Sequence, residues 1–178
     1  MSAPANYHPL SGHCTCGASH YTLTAPPIFV NCCHCRFCQR ESGGPCALNA
    51  MYEASHVLIP PTTHLESTTL PTASGKPQRV FRCPTCKVVL YALYGDNGDY
   101  IRFVKVSTLE NPDALPPGAH IFTASKQPWV KLEEGGAPCF EGFYKRPELW
   151  SKESLERMGA VAAKMKSDRA AKAGEAKL

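Results

Sequence analysis

The sequence has no long apolar run. Its first residues, MSAPANYHPLSGHC, contain nothing that could serve as the core of a secretory leader, and no stretch approaches the roughly 20 apolar residues of a membrane span. This argues against secretion and against membrane insertion, so the chain is expected to stay in the cytoplasm. A strong charge imbalance is also missing: 19 Lys and Arg face 15 Asp and Glu, a net charge of +4 with a pI of about 8.5. Residues 151–178 hold seven basic and four acidic side chains and supply +3 of that total, leaving the body nearly neutral. So mild a balance predicts neither nucleic-acid nor membrane binding. Helical periodicity is lacking from Gly12 to about Trp129.

Cysteine, by contrast, is abundant. Ten cysteines in an unsecreted chain of 178 residues favour metal binding over disulfides, because the cytosol keeps thiols reduced. They also fall in tight clusters rather than being scattered through loops.

Short runs rich in β-branched and aromatic residues, punctuated by turn residues, predict an all-β domain. The candidate strands are Ser19 to Thr24, Cys46 to Tyr52, His56 to Ile59, Arg79 to Arg82, Val88 to Tyr94 and Tyr100 to Val106. Asn97-Gly98, within GDNGD, signals a hairpin between the last two. Sixteen prolines, among them Pro60, Pro61, Pro71, Pro77, Pro112, Pro116 and Pro117, imply a loop-rich outer shell. After Pro147 the composition turns to Ala and Lys, with Ser151 placed as an N-cap and Leu155, Met158, Ala162 and Met165 spaced for one helical face. The length suits one domain with an appended tail: an N-terminal extension over 1–11, a zinc-binding domain over 12–146 and a helical tail over 147–178.

GHCTCGA supplies Cys14 and Cys16; CPTCK supplies Cys83 and Cys86 with the gap of a zinc knuckle. Together they make a four-sulfur set, which completes the tetrahedron of a structural zinc and closes it to substrate. Iron also accepts four sulfurs, but zinc is the better-suited ion. Such a metal would clamp an N-terminal hairpin to a central strand across a long intervening loop.

Between the pairs, NCCHCRFCQRESGG places Cys33, Cys35 and Cys38 as C-x-C-x-x-C. Three protein ligands and an exchangeable position make a catalytic zinc; alternatively Cys32, Cys46, His34 or a distant residue closes the tetrahedron and the site is structural. Adjacent side chains diverge, which counts against Cys32. Three thiolates donate heavily to zinc, so bound water is acidified less than at a three-histidine site, and a thiol substrate suits the ion better than a hydrolytic water. Held as thiolate, that substrate could attack an electrophilic carbon, and the reverse reaction breaks a carbon–sulfur bond. Arg36 and Arg40 flank the trio and could attract a carboxylate-bearing thiol, although solvated arginines are commoner. His34 reads as a proton shuttle or as a loop histidine without a role. Cys32, Cys46 and Cys139 read as small buried hydrophobes.

G-x-C-x-C-G at Gly12 to Gly17, C-H-C-x-x-C followed by Ser-Gly at Cys33 to Gly43, C-x-x-C at Cys83 to Cys86, and the weaker HIFTASKQPW at His120 to Trp129 make the chain resemble the glutathione-dependent formaldehyde-activating enzymes, which share their domain with centromere protein V. The resemblance covers roughly residues 10–140. It implies a mostly β, zinc-stabilised Mss4-like fold with a C-terminal helix, two zinc ions per chain, and carbon–sulfur lyase chemistry that joins glutathione to formaldehyde or releases it. Carried over, Cys14, Cys16, Cys83 and Cys86 match the structural ligands and Cys33, Cys35 and Cys38 the catalytic ones. The three-sulfur site is expected to hold its ion more weakly and to be incompletely filled after purification. Lys126 and Trp129 fall in a family segment without an assignable role.

Two departures stand out. Lys87 follows the knuckle where glycine is usual, so the turn is expected to be distorted; Ser107 likewise replaces a glycine before Thr108-Leu109. The competing function is a non-catalytic zinc module for a protein or chromatin partner, though +3 over the tail falls short of the dense basic runs that hold phosphate backbones.

Overall fold

The computed structural model describes residues 7–72 and 74–175. Residues 1–6 of the expected N-terminal extension and 176–178 of the tail lie outside the described residues. The chain divides after Tyr144 into two compact units.

The first unit is mostly β, as expected. Strands β1 (Leu10–His13), β2 (His20–Leu23) and β5 (Val57–Leu58) form a small antiparallel sheet in the order β1-β2-β5. A seven-stranded sheet holds β3 (Phe29–Cys33), β4 (Ala47–Glu53), β6 (Glu66–Leu70), β7 (Gln78–Arg82), β8 (Val89–Tyr94), β9 (Ile101–Lys105) and β10 (Ala119–Ile121), in the order β10-β3-β4-β9-β8-β7-β6. Only the β10–β3 pair is parallel. Helix α1 (Arg36–Ser42) follows β3 directly.

Register builds the core. Val30 pairs with Ala50, Ala50 with Val104, and Val104 with Tyr91, so one row of apolar side chains crosses four strands on a single face of the large sheet. Tyr21, Leu23 and Val57 of the small sheet join this row in one buried cluster. Tyr21 also donates to or accepts from Thr108 Oγ1 at 2.7 Å, and its ring lies so close to Gly12 that a Cβ there would sit 2.3 Å from it. The first glycine of the G-x-C-x-C-G motif is therefore a packing requirement.

The opposite face carries a polar row, Asn31, Asn49 and Lys105 in register. Lys105 is buried and reaches Glu41 of α1 at 2.5 Å and Asn49 Oδ1 at 3.1 Å. This ion pair fastens α1 to the sheet from beneath.

The sequence reading finds six of the strands to within about two residues and does not include β1, β3, β6 or β10. β6 reads ESTTL and is polar, β10 has three residues, and the pattern of β3 is hidden inside its cysteines. The hairpin signalled by Asn97-Gly98 joins β8 to β9, but through 3-10 turns over Gly95–Tyr100 rather than a two-residue turn. Gly98 breaks those turns at φ 54°, ψ −141°, a backbone conformation open essentially to glycine.

Lys87 itself adopts φ +63°. The expected distortion does not occur: Lys87 N–H donates to Cys83 O at 3.1 Å and Cys83 N–H to Val88 O at 3.0 Å, closing the turn, while Lys87 Nζ reaches Glu66 at 3.0 Å. Ser107 lies in a 3-10 turn, Val106–Thr108, with no positive φ, so nothing there requires glycine.

The second unit holds α2 (Arg146–Leu149) and α3 (Lys152–Glu175). Ser151 caps α3 as expected, accepting from Ser154 N–H at 3.1 Å.

Two stability measurements follow. Lys105→Met leaves Glu41 buried without its partner and should cost about 3–5 kcal/mol in denaturant unfolding. Lys87→Gly should raise stability by up to about 1 kcal/mol, because it relieves a left-handed residue and gives up only an exposed ion pair; a lower melting temperature would refute this.

Candidate metal centre and adjoining groove

The β1–β2 turn carries Cys14 and Cys16, and the β7–β8 turn carries Cys83 and Cys86. The sequence reading places the second pair at a central strand; it lies instead at a hairpin turn, two strands from the β6 edge. All four sulfurs lie within 4.8 Å of one another. Cys14 Sγ and Cys16 Sγ are 3.5 Å apart, and Cys16 Sγ and Cys83 Sγ 3.7 Å. Four sulfurs at about 2.3 Å from one zinc stand about 3.8 Å from each other, so the set fits a tetrahedral ion. Backbone amides support the sulfurs: Ser19 N–H donates to Cys14 Sγ at 3.3 Å and Thr85 N–H to Cys83 Sγ at 3.4 Å. The Ser19 hydroxyl, with the Cys86 and Thr85 amides, holds the Cys83 thiol down at about 5. Cys14 and Cys83 are wholly buried and belong to the core cluster.

Cys33 ends β3, Cys35 is the N-cap of α1, and Cys38 lies in its first turn. Their sulfurs also converge within 4.8 Å, and among the described residues no fourth Cys, His, Asp or Glu shares that group. Neither Cys32, Cys46 nor His34 closes it. Cys38 N–H donates to Cys35 Sγ at 3.4 Å. The Cys33 and Cys38 thiols, with the Cys38 and Phe37 amides, hold the Cys35 thiol well below its ordinary value. Cys33, which gives its proton toward Cys35, rises to about 12, and Cys38 rises further for the same reason. Such a set is prepared to receive a cation.

The loop bearing the trio is bolted to the segment that follows β10. Gln39 Nε2 donates to His34 O at 2.6 Å and to Ser125 O at 2.9 Å, and Ser125 Oγ donates to His34 O at 3.0 Å. Arg36 in turn donates to Gln39 Oε1 at 2.8 Å. Phe122, at φ +56°, turns the chain so that Ser125 reaches this loop. Sequence reasoning passed over Gln39 and Ser125; the proximity of the HIFTASK motif could not be seen from spacing, because 86 residues separate Gln39 from Ser125.

A groove of about 710 Å³ opens beside α1, lined by Arg36, Arg40, Gly43, Pro45, Gln127 and Trp129. Trp129 is 64 % exposed at its rim, its Nε1–H donating to Gln127 Oε1 at 2.7 Å. Lys126 Nζ turns back to Val130 O at 2.6 Å and is occupied within its own loop.

Two sequence expectations need correction, those for Cys46 and Cys139. His34 lies in the short connection between β3 and α1 and is 1 % exposed. Burial, the nearby His120 and Lys126 hold it below the ordinary histidine value, while the Pro45 carbonyl acts the other way. Cys46 is half-buried and Cys139 is exposed, so only Cys32 is the buried residue that all three were expected to be.

No curated protein matches the chain. The family described as glutathione-dependent formaldehyde-activating enzyme matches residues 9–125, more than half of the chain, and includes both cysteine sets and the Gln39–Ser125 bolt. With its mostly β, Mss4-like architecture and its two convergent sulfur sets, the chain belongs to the family of glutathione-dependent formaldehyde-activating enzymes.

Proposed function

We propose that the protein is a zinc-dependent carbon–sulfur lyase that forms or cleaves a thiol–aldehyde adduct such as S-hydroxymethylglutathione. The observation that carries this reading is the trio Cys33, Cys35 and Cys38, three converging sulfurs without a fourth ligand in their group, beside a groove with two arginines. Cys14, Cys16, Cys83 and Cys86 would hold a second, structural zinc, making two ions per chain.

A zinc ion on the trio would supply a Lewis acid with room for one more ligand, which favours the thiolate form of a substrate thiol. The chain's own residues arrange the rest. Cys35 as N-cap fixes the start of α1, so the sulfurs and Arg36 are set by one short helix. Arg36 and Arg40 are exposed in the groove and suit the two carboxylates of glutathione. Trp129 offers a flat apolar rim for the peptide. In the joining direction the sulfur–carbon bond forms as the carbonyl π pair moves to oxygen, which takes up the proton given by the thiol; in the reverse direction the same bond returns its electrons to sulfur. The groove volume falls within the roughly 300–1,000 Å³ of small-molecule sites.

The structural role of the first set is open to measurement. Structural zinc contributes roughly 10–16 kcal/mol in small peptides, against about 5–15 kcal/mol for the stability of a whole domain. Cys83→Ser should therefore abolish cooperative unfolding and the β signal in far-ultraviolet circular dichroism; an unchanged melting temperature would rule the role out. For the trio, cobalt-substituted protein should change its visible spectrum when glutathione is added, and Cys38→Ser should lose both that response and at least about 100-fold in adduct turnover. A spectrum indifferent to thiols and aldehydes would remove the chemical basis of the lyase reading.

A further inference from the structure

The alternation of β3 sorts the run Asn31-Cys32-Cys33-His34-Cys35 onto two faces. Cys33 and Cys35 go to the face of α1, where they meet Cys38. Cys32 and His34 go to the other face, where the ladder continues: His34 N–H donates to Ile121 O at 2.9 Å. His120 is the parallel partner of Cys32, so its side chain stands on that same face. The three converge. His34 Nε2 lies 3.7 Å from Cys32 Sγ and 3.0 Å from His120 Nδ1, and the three ligand atoms are all within 4.8 Å of one another. Around a tetrahedral zinc the corresponding sulfur–nitrogen and nitrogen–nitrogen edges are about 3.6 and 3.3 Å.

We propose that Cys32, His34 and His120 form a third metal-binding site, separate from both cysteine sets, for a divalent ion of the zinc class. Two imidazole nitrogens and one thiolate are a borderline donor set suited to zinc, cobalt or nickel rather than to magnesium or calcium. Cys32 and His34 are 5 % and 1 % exposed, so the site is screened from water on the sheet side, while His120 is half-buried. Nε2 is the ring atom of His34 that faces both Cys32 Sγ and His120 Nδ1. Cys139 follows in the same row, paired with His120, but its sulfur lies outside the convergent group and is directed to Ala137 O at 3.5 Å.

The test counts ions and reads no activity, so it stands apart from the lyase proposal. The full chain is saturated with zinc under reducing conditions, freed of unbound ion by gel filtration and measured by metal analysis. The unaltered protein should hold one ion more per chain than His120→Gln or Cys32→Ser, each with an unchanged far-ultraviolet spectrum, and Cys139→Ser should count as the unaltered protein. His120 supplies no ligand to either cysteine set, but its ring touches His34 between Cys33 and Cys35, so the cobalt–thiolate charge-transfer band of the trio must be retained in His120→Gln for the lost ion to be assigned to this site. Equal counts in the unaltered protein and a folded His120→Gln would overturn the proposal, the three side chains then sharing only protons. If His120→Gln does not fold, cobalt titration of the unaltered protein decides. A third equivalent that adds d–d absorption with weaker thiolate charge transfer than the first two supports the site, and saturation at two equivalents overturns it.

Discussion

Successive side chains of a β-strand point to opposite faces, and at β3 this simple constraint decides what each cysteine can do. Five consecutive residues, Asn31 to Cys35, carry three thiols, an imidazole and a carboxamide. The pleat sends Asn31 and Cys33 toward the polar row that Lys105 and Glu41 complete, and Cys32 and His34 toward the face that holds the core row. Because α1 begins at Arg36, Cys35 is captured as its N-cap and Cys38 is brought back beside Cys33. A shift of register by one residue would exchange the two sets and dissolve both.

The rest of the first unit supports that strand. The Lys105–Glu41 pair holds α1 down from the sheet side, and Gln39 and Ser125 hold the loop before it from the other. Both supports bury charge or polar groups with their partners satisfied, which rigidifies a site more than apolar contact does. The Cys14, Cys16, Cys83 and Cys86 set lies between the small sheet and the β7–β8 hairpin, with two of its sulfurs in the core cluster itself. A metal there would tie the small sheet to the large one, which explains why two wholly buried thiols face each other at a place where apolar side chains would pack more simply.

The two cysteine sets have unequal surroundings. The first is supported by amides and a hydroxyl, with Cys14 and Cys83 in the core, Cys86 half-buried and Cys16 exposed. The second has no exposed member, and the helix that Cys35 caps and that carries Cys38 also contributes Arg36 and Arg40 to a groove with Trp129 at its rim. Family membership, the sulfur geometry and the groove all direct attention to the second set for substrate chemistry.

Much of this was legible in the sequence, for identifiable reasons. Metal-ligand spacing is local: C-x-C-x-x-C places three sulfurs within reach of one ion whatever the surrounding fold, and C-x-C and C-x-x-C each supply half of a four-sulfur tetrahedron, so the two halves call for each other although Cys16 and Cys83 are 67 residues apart; the β character and the Ser151 cap are equally local. What the sequence could not supply was anything set by contact between distant segments. β10 is three residues long and carries no strand pattern of its own; only pairing with β3 makes it a strand, and only its parallel register sets His120 beside Cys32. Gln39 reads as an ordinary polar residue on a short helix until Ser125 is seen beneath it. Lys87 was expected to spoil its turn, yet the hydrogen bonds that close the knuckle hold it at a positive φ. Local spacing is written into the chain because it depends on a few consecutive bonds, whereas register and packing depend on which strands find each other, and that choice is made by the whole core at once.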